Sequence, residues 1–217
     1  QAPFSAYMNF GDHQILSLSP ERFIQSSNNQ VKTQPIKGTR PRSDDPIKDQ
    51  ALKDELINSE KDRAENLMIV DLLRNDLSRT AAKASVKVNE LFGQYAFESV
   101  HHLISTVSSK LAPQFDNFDL LATTLPGGSI TGAPKKRAME IIAELEQAPR
   151  SFYCGSTFYL SSNNKMSSNI LIRGFLFNEG EVTCWAGGGI VADSNWEDEY
   201  QESLDKISKL MLALSNQ

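Results

Sequence analysis

Apolar and polar residues alternate with the period of β-strands near the start of the chain. The segments HQILSLS, RFIQSS and QVKTQPI, which lie between residues 13 and 36, alternate or run apolar. This pattern predicts short strands. The pair Asn28–Asn29 between the second and third segments predicts a hairpin turn.

A helical pattern replaces the strand pattern from about Ile47, after the punctuating stretch RPRSDDP. The segment SEKDRAENLMIVDLLRNDL predicts a strong helix, with Ser59 as its N-cap and acidic residues in its first turns. The middle of this helix, LMIVDLL, is apolar nearly all round. This composition predicts a helix that is buried rather than laid on a surface.

The rest of the chain mixes both patterns. Strands are predicted at ASVKVNELF and FESVHHLISTVSSKL, a short helix at DNFDLLATTL, and a glycine-rich turn that opens a helix at PGGSITGAPKKRAMEIIAELE, with Pro134 near its first turn. Three strand-like segments follow, FYCGSTFYLSS, NILIRGFLF and EVTCWAGGGIV, joined by NNK and NEG turns, before a last helix from about Trp196 to Leu214. Because hairpins dominate and βαβ units are scarce, we expect an α+β protein built on antiparallel sheet.

Composition narrows the class of protein. Apolar residues make up 40% and charged residues 23% of the 217 residues, as in an ordinary globular protein. The net charge is −5 and the basic residues form no stripe, so the footprint of a nucleic-acid binder is missing. No apolar run is long enough to cross a bilayer. Cys154 and Cys184 lack metal-ligand spacing, and we expect two buried thiols of a cytoplasmic protein rather than a disulfide.

The start of the chain, QAPFSAYMNF, has no initiator methionine and no signal-peptide pattern, and it moves straight into strand-like sequence. We therefore expect a fragment of a longer chain.

Two pairs of acidic residues are candidates for a metal site. Asp62 and Glu65 are three residues apart on the first long helix, and Glu199 and Glu202 have the same spacing on the last. This spacing puts both carboxylates of a pair on one helix face. Carboxylates presented by two helices could hold Mg²⁺ together with a substrate anion. A solvated acidic face is the alternative, and it is stronger for the second pair than for the first, whose helix has little polar surface to spare.

Glycine-rich turns and one lysine suggest anion chemistry. Lys37 lies between a Pro-Ile pair and a Gly-Thr turn, where a lysine is positioned rather than merely solvated. The turn GGSITGAPK, residues 127–135, opens a helix whose free N–H groups attract anions, although an ordinary helix start is equally consistent. It is not a nucleotide P-loop, because Ala133 stands where that motif needs lysine. The cluster Gly187–Gly189 indicates backbone close to a bulky group, or a flexible turn.

Three other polar groups are ambiguous. Arg173, within NILIRGFLF, is either an edge-strand gatekeeper or an inward arginine that binds a carboxylate. His101 and His102 on one strand point to opposite faces, so one is exposed and the other is a core histidine or an acid–base group. Glu21, just after Pro20, is by itself most simply a surface residue.

These residues lie in blocks that resemble one family. SLSPERF, PIKGTRPR, KDRAENLMIVDLLRND, PGGSITGAPKKRAMEII and AGGGIVADS followed by EYQE and a lysine occur in this order, and the order is similar to that of the chorismate-utilising enzymes. The resemblance covers essentially the whole chain. It implies an α+β fold, a sandwich of two antiparallel sheets with outer helices. Family members are about twice as long, so residues 1–217 are expected to be one chorismate-binding catalytic domain, the C-terminal half of such a protein.

The resemblance also implies a reaction. The motif PIKGT is similar to that of members that aminate chorismate at C4 for p-aminobenzoate and folate synthesis, whereas anthranilate-forming members have alanine, as PIAGT. Lys37 would then be a nucleophile that attacks C2 of the ring, and Glu21 would protonate the departing C4 hydroxyl. The ammonia would come from a glutamine amidotransferase subunit.

Other roles follow by position in the family motifs. Asp62, Glu65, Glu199 and Glu202 match the Mg²⁺ site, with Glu65 and Glu202 as direct ligands and Asp62 as one that binds through water. His102 matches a histidine near C1 and the pyruvyl group. The substrate-binding set is Gly38, Thr39 and Thr131 beside the ring, and Tyr159, Arg173, Gly187, Gly188, Gly189 and Lys206 around the enolpyruvyl carboxylate.

Two alternatives stay open at this point. The chain could belong to an anthranilate-forming member, or it could be a non-catalytic module that binds chorismate or docks a subunit. Retention of Lys37, Glu21 and all four acids argues against the second alternative.

Overall fold

The computed structural model describes residues 2–192 and 194–215. The strands are β1 (Phe4–Asn9), β2 (His13–Ser19), β3 (Arg22–Ser27), β4 (Gln30–Thr33), β5 (Ile36–Pro41), β6 (Lys87–Ala96), β7 (Val100–Lys110), β8 (Phe158–Leu160), β9 (Met166–Asn169), β10 (Gly174–Asn178) and β11 (Glu181–Cys184). The helices are α1 (Pro46–Asn58), α2 (Glu60–Ser78), α3 (Asn117–Thr124), α4 (Lys135–Leu145) and α5 (Trp196–Ser215). None of the described helices is long and apolar enough to span a membrane.

The chain forms two compact units, each with its own antiparallel sheet. The first unit comprises residues 1–21, 148–156 and 170–217. Its sheet has the order β1–β2–β10–β11, and α5 belongs to the same unit. The β10–β11 hairpin turns on Glu179 and Gly180, whose φ angles of 51° and 83° suit a tight hairpin. The predicted NEG turn is therefore confirmed.

The second unit comprises residues 22–147 and 157–169. Six of its strands follow the order β5–β7–β4–β3–β9–β8, and β6 pairs with the long strand β7. The first half of β7 pairs with β5 and the second half with β4. Helices α1 and α2 lie against β5 and β7, and their fully buried residues Leu56 and Leu77 belong to the core with Val107. All pairs in both sheets are antiparallel, as the hairpin-rich pattern predicted.

The first strands match the prediction except at one proline. Asn28 and Asn29 form the predicted turn, with φ angles of 51° and 60°. The segment QVKTQPI, predicted as one strand, is divided into β4 and β5. Pro35 has no N–H to donate to a ladder, and its carbonyl instead accepts the backbone N–H of Ser105 at 3.2 Å.

Helix α2 begins as predicted but is less buried than predicted. The Ser59 hydroxyl accepts the backbone N–H of Asp62, as an N-cap should. Leu67 and Met68 are 44% and 38% exposed, whereas Ile69 and Val70 are in the core. The expectation that the helix is buried on all sides was wrong, because only one face of it packs on the sheet of its own unit.

Strand predictions were least accurate between residues 152 and 177. Within FYCGSTFYLSS only β8 is extended, and Cys154 has a φ angle of 67°. Strand β9 was not anticipated. In NILIRGFLF the strand begins at Gly174, so Arg173 does not lie inside a strand; it is exposed at a bend with a φ angle of 54°. The two cysteines are thiols and not a disulfide pair, with Cys154 buried and Cys184 half-buried.

A cluster around Asp49 joins α1 to β7 and to the end of β5. The Asp49 carboxylate accepts hydrogen bonds from Arg42 Nε at 2.9 and 3.1 Å and from the backbone N–H of Ser43 at 3.0 Å. The Nε2 atom of buried His101 lies 3.0 Å from the same carboxylate. These hydrogen bonds hold the pKa of Asp49 well below its usual range, and the bond from Arg42 has the largest effect.

We predict that Asp49→Asn lowers the melting temperature at pH 7. A carboxylate with a depressed pKa contributes stability above its unfolded pKa, about 3.9, and loses that contribution as the pH falls toward its folded pKa. The difference in melting temperature between the parent and the variant should therefore narrow below about pH 4. Asp44→Asn, at an exposed neighbouring aspartate, is the control and should change neither curve. A difference that stays constant from pH 7 to pH 3 would contradict the assignment.

Candidate functional site

A one-residue bulge in β5 positions the first candidate residues. Lys37 pairs with Leu103 and Thr39 pairs with His102, so Gly38 is the extra residue in β5. Gly38 has a φ angle of 76°, a left-handed conformation that glycine adopts at little cost. Without the bulge Thr39 would lie opposite His101. The bulge therefore decides which histidine the threonine meets.

The His102 ring is accessible, and two contacts restrict its orientation. Its Nδ1 atom lies 3.0 Å from Thr39 Oγ1, and its ring meets the edge of Phe97 at a centroid distance of 5.5 Å. His101 points to the opposite face, is only 1% exposed and bonds to Asp49. The prediction of one core histidine and one accessible histidine is confirmed, and the resemblance selected the accessible one.

The two cations of β5, Lys37 and Arg40, differ in how their side chains are bonded. Its residue is half-buried, and among the described residues its Nζ atom has no hydrogen-bond or ion-pair partner. Three positions further on, the Arg40 guanidinium bonds to Glu55 Oε1 at 2.8 Å and to Asp62 Oδ2 at 3.2 Å. An amine that is half-buried and not held by a carboxylate is accessible for bond formation with a ligand.

The bulge lies directly against the start of α2. A Cβ atom on Gly38 would lie 2.7 Å from Leu56 Cδ1 and 2.9 Å from Asp62 Cγ. This close approach places the Asp62 carboxylate beside β5, where Arg40 balances its charge. Our reading of the sequence did not single out Arg40. Its position in TRPR, three residues after the candidate lysine, was the available signal.

The other candidates of this unit lie on three different elements. Glu65 is half-buried one turn after Asp62 on α2. Thr131 is half-buried in the turn before α4, and its hydroxyl donates to the Gly127 carbonyl at 2.9 Å. Tyr159 on β8 is 65% exposed. The side-chain bond that the structure shows between two second-unit candidates is that of Thr39 with His102, which joins β5 to β7.

In the first unit, the glycine loop and α5 are joined at two points. Lys206 Nζ donates to the Gly187 carbonyl at 3.1 Å and forms an ion pair with Glu202 at 2.5 Å. Glu199 is only 8% exposed and accepts a hydrogen bond from the Ser194 hydroxyl. These contacts bring four of the first-unit candidates together, Gly187, Glu199, Glu202 and Lys206.

The loop runs close to α5, as its three glycines predicted. A Cβ atom on Gly188 would lie 2.9 Å from Glu199 Oε2, and one on Gly187 would lie 3.0 Å from the Tyr153 hydroxyl. Gly189 is exposed in the same loop. Ser194, which our reading of the sequence missed, holds Glu199 through its side chain while accepting the backbone N–H of Val191.

Glu21 and Arg173 lie at the ends of strands in the first unit. Glu21 is half-buried after β2, and its carbonyl accepts the backbone N–H of Ile170 at 3.1 Å. The Arg173 carbonyl accepts the backbone N–H of Leu18 at 3.0 Å. Backbone bonds thus fix both positions, while the exposed Arg173 side chain is available to a ligand from solvent.

The chemistry of the candidate metal ligands suits a hard cation, since all four are carboxylates. Asp62 and Glu65 lie on α2 in the second unit, and Glu199 and Glu202 lie on α5 in the first. Within either unit, the described residues contain no group of three or more His, Cys, Asp and Glu side chains that could hold a metal. Each unit thus supplies two oxygen-donor side chains with a cation beside one of them, Arg40 at Asp62 and Lys206 at Glu202.

We predict that Gly38→Ala destabilises the protein by about 2–5 kcal/mol. The left-handed backbone costs an alanine about 1–2 kcal/mol, and the clash with buried Leu56 adds about 1–3 kcal/mol. Gly11→Ala is the matched control, because Gly11 has a φ angle of 94° but no atom within 4 Å of its Cβ position. In urea unfolding, Gly11→Ala should lose only the free energy of unfolding that the left-handed backbone costs an alanine, about 1–2 kcal/mol. Equal losses in the two variants would show that the close approach of β5 to α2 is not a constraint.

Comparisons with known proteins give consistent results. The family model described as chorismate binding enzyme matches residues 1–212. The chain is 55% identical over 216 residues to aminodeoxychorismate synthase component 1 of Salmonella typhimurium, covering 100% of this chain and 48% of that protein. It is 54% identical over 214 residues to the protein of the same name from Escherichia coli, covering 99% and 47%. The chain thus spans about half the length of the curated relatives it matches.

A solved structure gives the same relationship. The crystal structure of anthranilate synthase component I from Streptococcus pneumoniae superposes with a TM-score of 0.84 at 38% identity, covering 94% of this chain and 45% of that chain. The predicted α+β class with antiparallel sheets is therefore confirmed by both the strand pairing and this similarity.

Proposed function

The chain belongs to the family of chorismate binding enzymes, and we propose that it is the catalytic part of an aminodeoxychorismate synthase component I. The proposed reaction converts chorismate and ammonia to 4-amino-4-deoxychorismate, a precursor of p-aminobenzoate and folate. Identities of 52–55% to three proteins of that name, each over 99% or more of this chain, support this choice within the family.

The observation that carries the proposal is the setting of Lys37. This amine is half-buried on a bulged strand and has no ion-pair or hydrogen-bond partner among the described residues, whereas Arg40 on the same strand pairs with Glu55 and Asp62. A lysine nucleophile must present a free electron pair, and a carboxylate bound to it would hold it as an ammonium ion. Asp62 is paired with Arg40, and Lys37 is unpaired within the part of the chain that the structure describes.

In the proposed reaction, Lys37 Nζ forms a bond to C2 of the ring while both conjugated ring double bonds shift and the C4–O bond breaks. The hydroxyl leaves as water because Glu21 supplies a proton, since hydroxide is a poor leaving group. Ammonia then bonds to C4, both double bonds shift back, and the C2–N bond to Lys37 breaks, while the new ammonium group at C4 returns a proton to Glu21. Lys37 is thus regenerated, and one difficult substitution becomes two easier ones.

The remaining residues would bind and orient the substrate. Gly38, Thr39 and Thr131 would contact the ring, and His102, held by Thr39, would lie near C1 and the pyruvyl group. Arg173 and Lys206 would pair with the enolpyruvyl carboxylate, with hydrogen bonds from Tyr159 and the Gly187–Gly189 backbone. Because pyruvate is not eliminated in this reaction, His102 would have a positional role only.

We further propose that Asp62, Glu65, Glu199 and Glu202 hold Mg²⁺. When bound, the ion would neutralise the ring carboxylate of chorismate and orient it. The support is the donor type, four carboxylates in two pairs of helical spacing. Arg40 and Lys206 would keep Asp62 and Glu202 in place before the ion arrives.

The ammonia would come from a glutamine amidotransferase subunit. The word "component" in the names of the relatives indicates that those proteins work with a partner subunit. Whether residues 1–217 are the C-terminal half of the longer protein stays a prediction, as does the expectation that they form one domain.

A second candidate is anthranilate synthase component I, which the similarity to the Streptococcus pneumoniae structure favours. We predict that the full-length protein, given chorismate, Mg²⁺ and an ammonium salt, forms 4-amino-4-deoxychorismate and no anthranilate, as resolved by liquid chromatography. Anthranilate as the product would replace the proposal with the second candidate. Binding of chorismate by calorimetry without any product would instead identify a non-catalytic binding module.

We predict that Lys37→Ala lowers aminodeoxychorismate formation by about 10³-fold or more, the order expected when a covalent nucleophile is removed. Chorismate binding should persist, because the other substrate contacts remain. Lys32→Ala, at an exposed lysine on strand β4 of the same sheet, is the matched control and should keep full activity. With chorismate and Mg²⁺ but no ammonia, intact-mass analysis should find a substrate adduct on the parent protein and none on Lys37→Ala. Unchanged product formation in Lys37→Ala would refute the nucleophile.

A further inference from the structure

The segment 126–134, which we call the α3–α4 turn, carries one of the candidate residues. It connects α3 to α4 and carries Thr131, whose hydroxyl donates to the Gly127 carbonyl within the turn. Pro134 occupies the N-cap position of α4 and provides no side-chain cap. Residues outside the turn must therefore determine where the turn lies relative to α2.

Lys135, the first residue of α4, reaches across to two other helices. Its Nζ atom donates to Asp76 Oδ2 at 2.6 Å and to the Thr124 carbonyl at 2.9 Å. Asp76 lies in the last turn of α2 and is 1% exposed, and Thr124 is the last residue of α3 and is fully buried. The Lys135 ammonium group at the start of α4 therefore bonds to the ends of both α2 and α3. Charge-assisted hydrogen bonds in such surroundings are short and directional.

The turn itself is close to α2 one helical turn before Asp76. A Cβ atom on Gly128 would lie 2.4 Å from Leu72 Cδ2 and 2.9 Å from its Cγ. Leu72 is buried, so the glycine allows the backbone of the turn to rest on this side chain. The turn is thus in contact with α2 at Gly128 and held to it at Lys135.

Stability alone does not account for the pair of Lys135 and Asp76. Burial raises the pKa of Asp76, and the opposing effects of Lys135 and Arg79 do not cancel this increase. The ionised carboxylate is therefore held less favourably in the folded protein than in water. Buried ion pairs can often be replaced by apolar side chains without loss of stability, and their directional bonds then fix geometry rather than add free energy.

We propose that Lys135 and Asp76 are positioning residues that hold the α3–α4 turn, and with it Thr131, in a fixed place on α2. The consequence for substrate rests on the proposed function, in which Thr131 contacts the chorismate ring while α2 carries Asp62 and Glu65. Neither Lys135 nor Asp76 takes part in the chemistry itself.

The first test is hydrogen exchange of the full-length protein without any ligand. In Lys135→Met, amides of residues 127–133 should exchange about 10-fold faster or more, as expected for loss of a charged hydrogen bond, after normalisation to the core amides of β7. Lys136→Met, at the exposed neighbouring lysine, should leave them unchanged. Unchanged normalised exchange in Lys135→Met, or an equal increase in the control, would overturn the proposal.

A double variant separates positioning from stability. Asp76→Leu combined with Lys135→Met removes both buried charges and should recover much of the melting temperature lost in Lys135→Met, yet the turn should still exchange fast. Recovery of slow exchange in the double variant would show that the pair only contributed stability, and would overturn the proposal.

The second test concerns substrate. In Lys135→Met and in the double variant, KM for chorismate should rise about 10-fold or more while kcat falls less, because a ring contact is displaced and the nucleophile is retained. An unchanged KM alongside fast exchange would refute the link to Thr131. If the parent protein does not turn over chorismate at all, the proposed function fails, and the exchange result still decides whether the pair holds the turn.

Discussion

The arrangement of the second unit depends on the absence of a side chain at residue 38. Gly38 lets β5 bulge at a left-handed backbone angle of 76° and lets the bulge rest on Leu56 and Asp62, at distances where any Cβ atom would clash. Three consequences follow from this one contact. Thr39 is moved opposite His102, Asp62 is brought beside Arg40, and Lys37 is placed on a strand that cannot shift without disturbing the core.

The pairing of charges follows a common rule in both units. A carboxylate of each candidate metal pair is bonded to a nearby cation, Arg40 in one unit and Lys206 in the other. Closely spaced acids repel one another, and a neighbouring cation offsets that repulsion in the free protein. Lys37 differs from Arg40 on the same strand, because among the described residues nothing pairs with its side chain. The difference between paired and unpaired cations separates structural roles from the proposed chemical one.

The residues that hold the candidate groups in place are as informative as the groups themselves. Ser194 bonds to Glu199, Thr39 to His102, and Lys135 joins Asp76 to the end of α3. In each case a polar side chain bonds to a candidate residue or to the element that carries one. Binding groups are effective when their supporting residues limit their motion, and these three contacts supply such limits within their own units.

Local patterns in the sequence were sufficient where structure is decided by neighbours in the chain. Capping preference accounts for Ser59 at the start of α2, and turn propensity accounts for the Asn28–Asn29 turn. The two-residue period of a strand accounts for the opposite orientations of His101 and His102. The family blocks likewise identified the candidate residues, since they are contiguous motifs.

Tertiary structure decided everything that depends on contacts between residues distant in sequence. The exposure of Leu67 and Met68 follows from which stripe of α2 meets the sheet, and the left-handed bend at Arg173 follows from how the chain enters β10. The ion pairs of Asp62 with Arg40 and of Asp76 with Lys135 join positions 22 and 59 residues apart. Periodicity and propensity describe only a few neighbouring residues. The sequence by itself therefore determined which groups the chain carries, and folding determined which of them are paired and which, like Lys37, have no partner among the described residues.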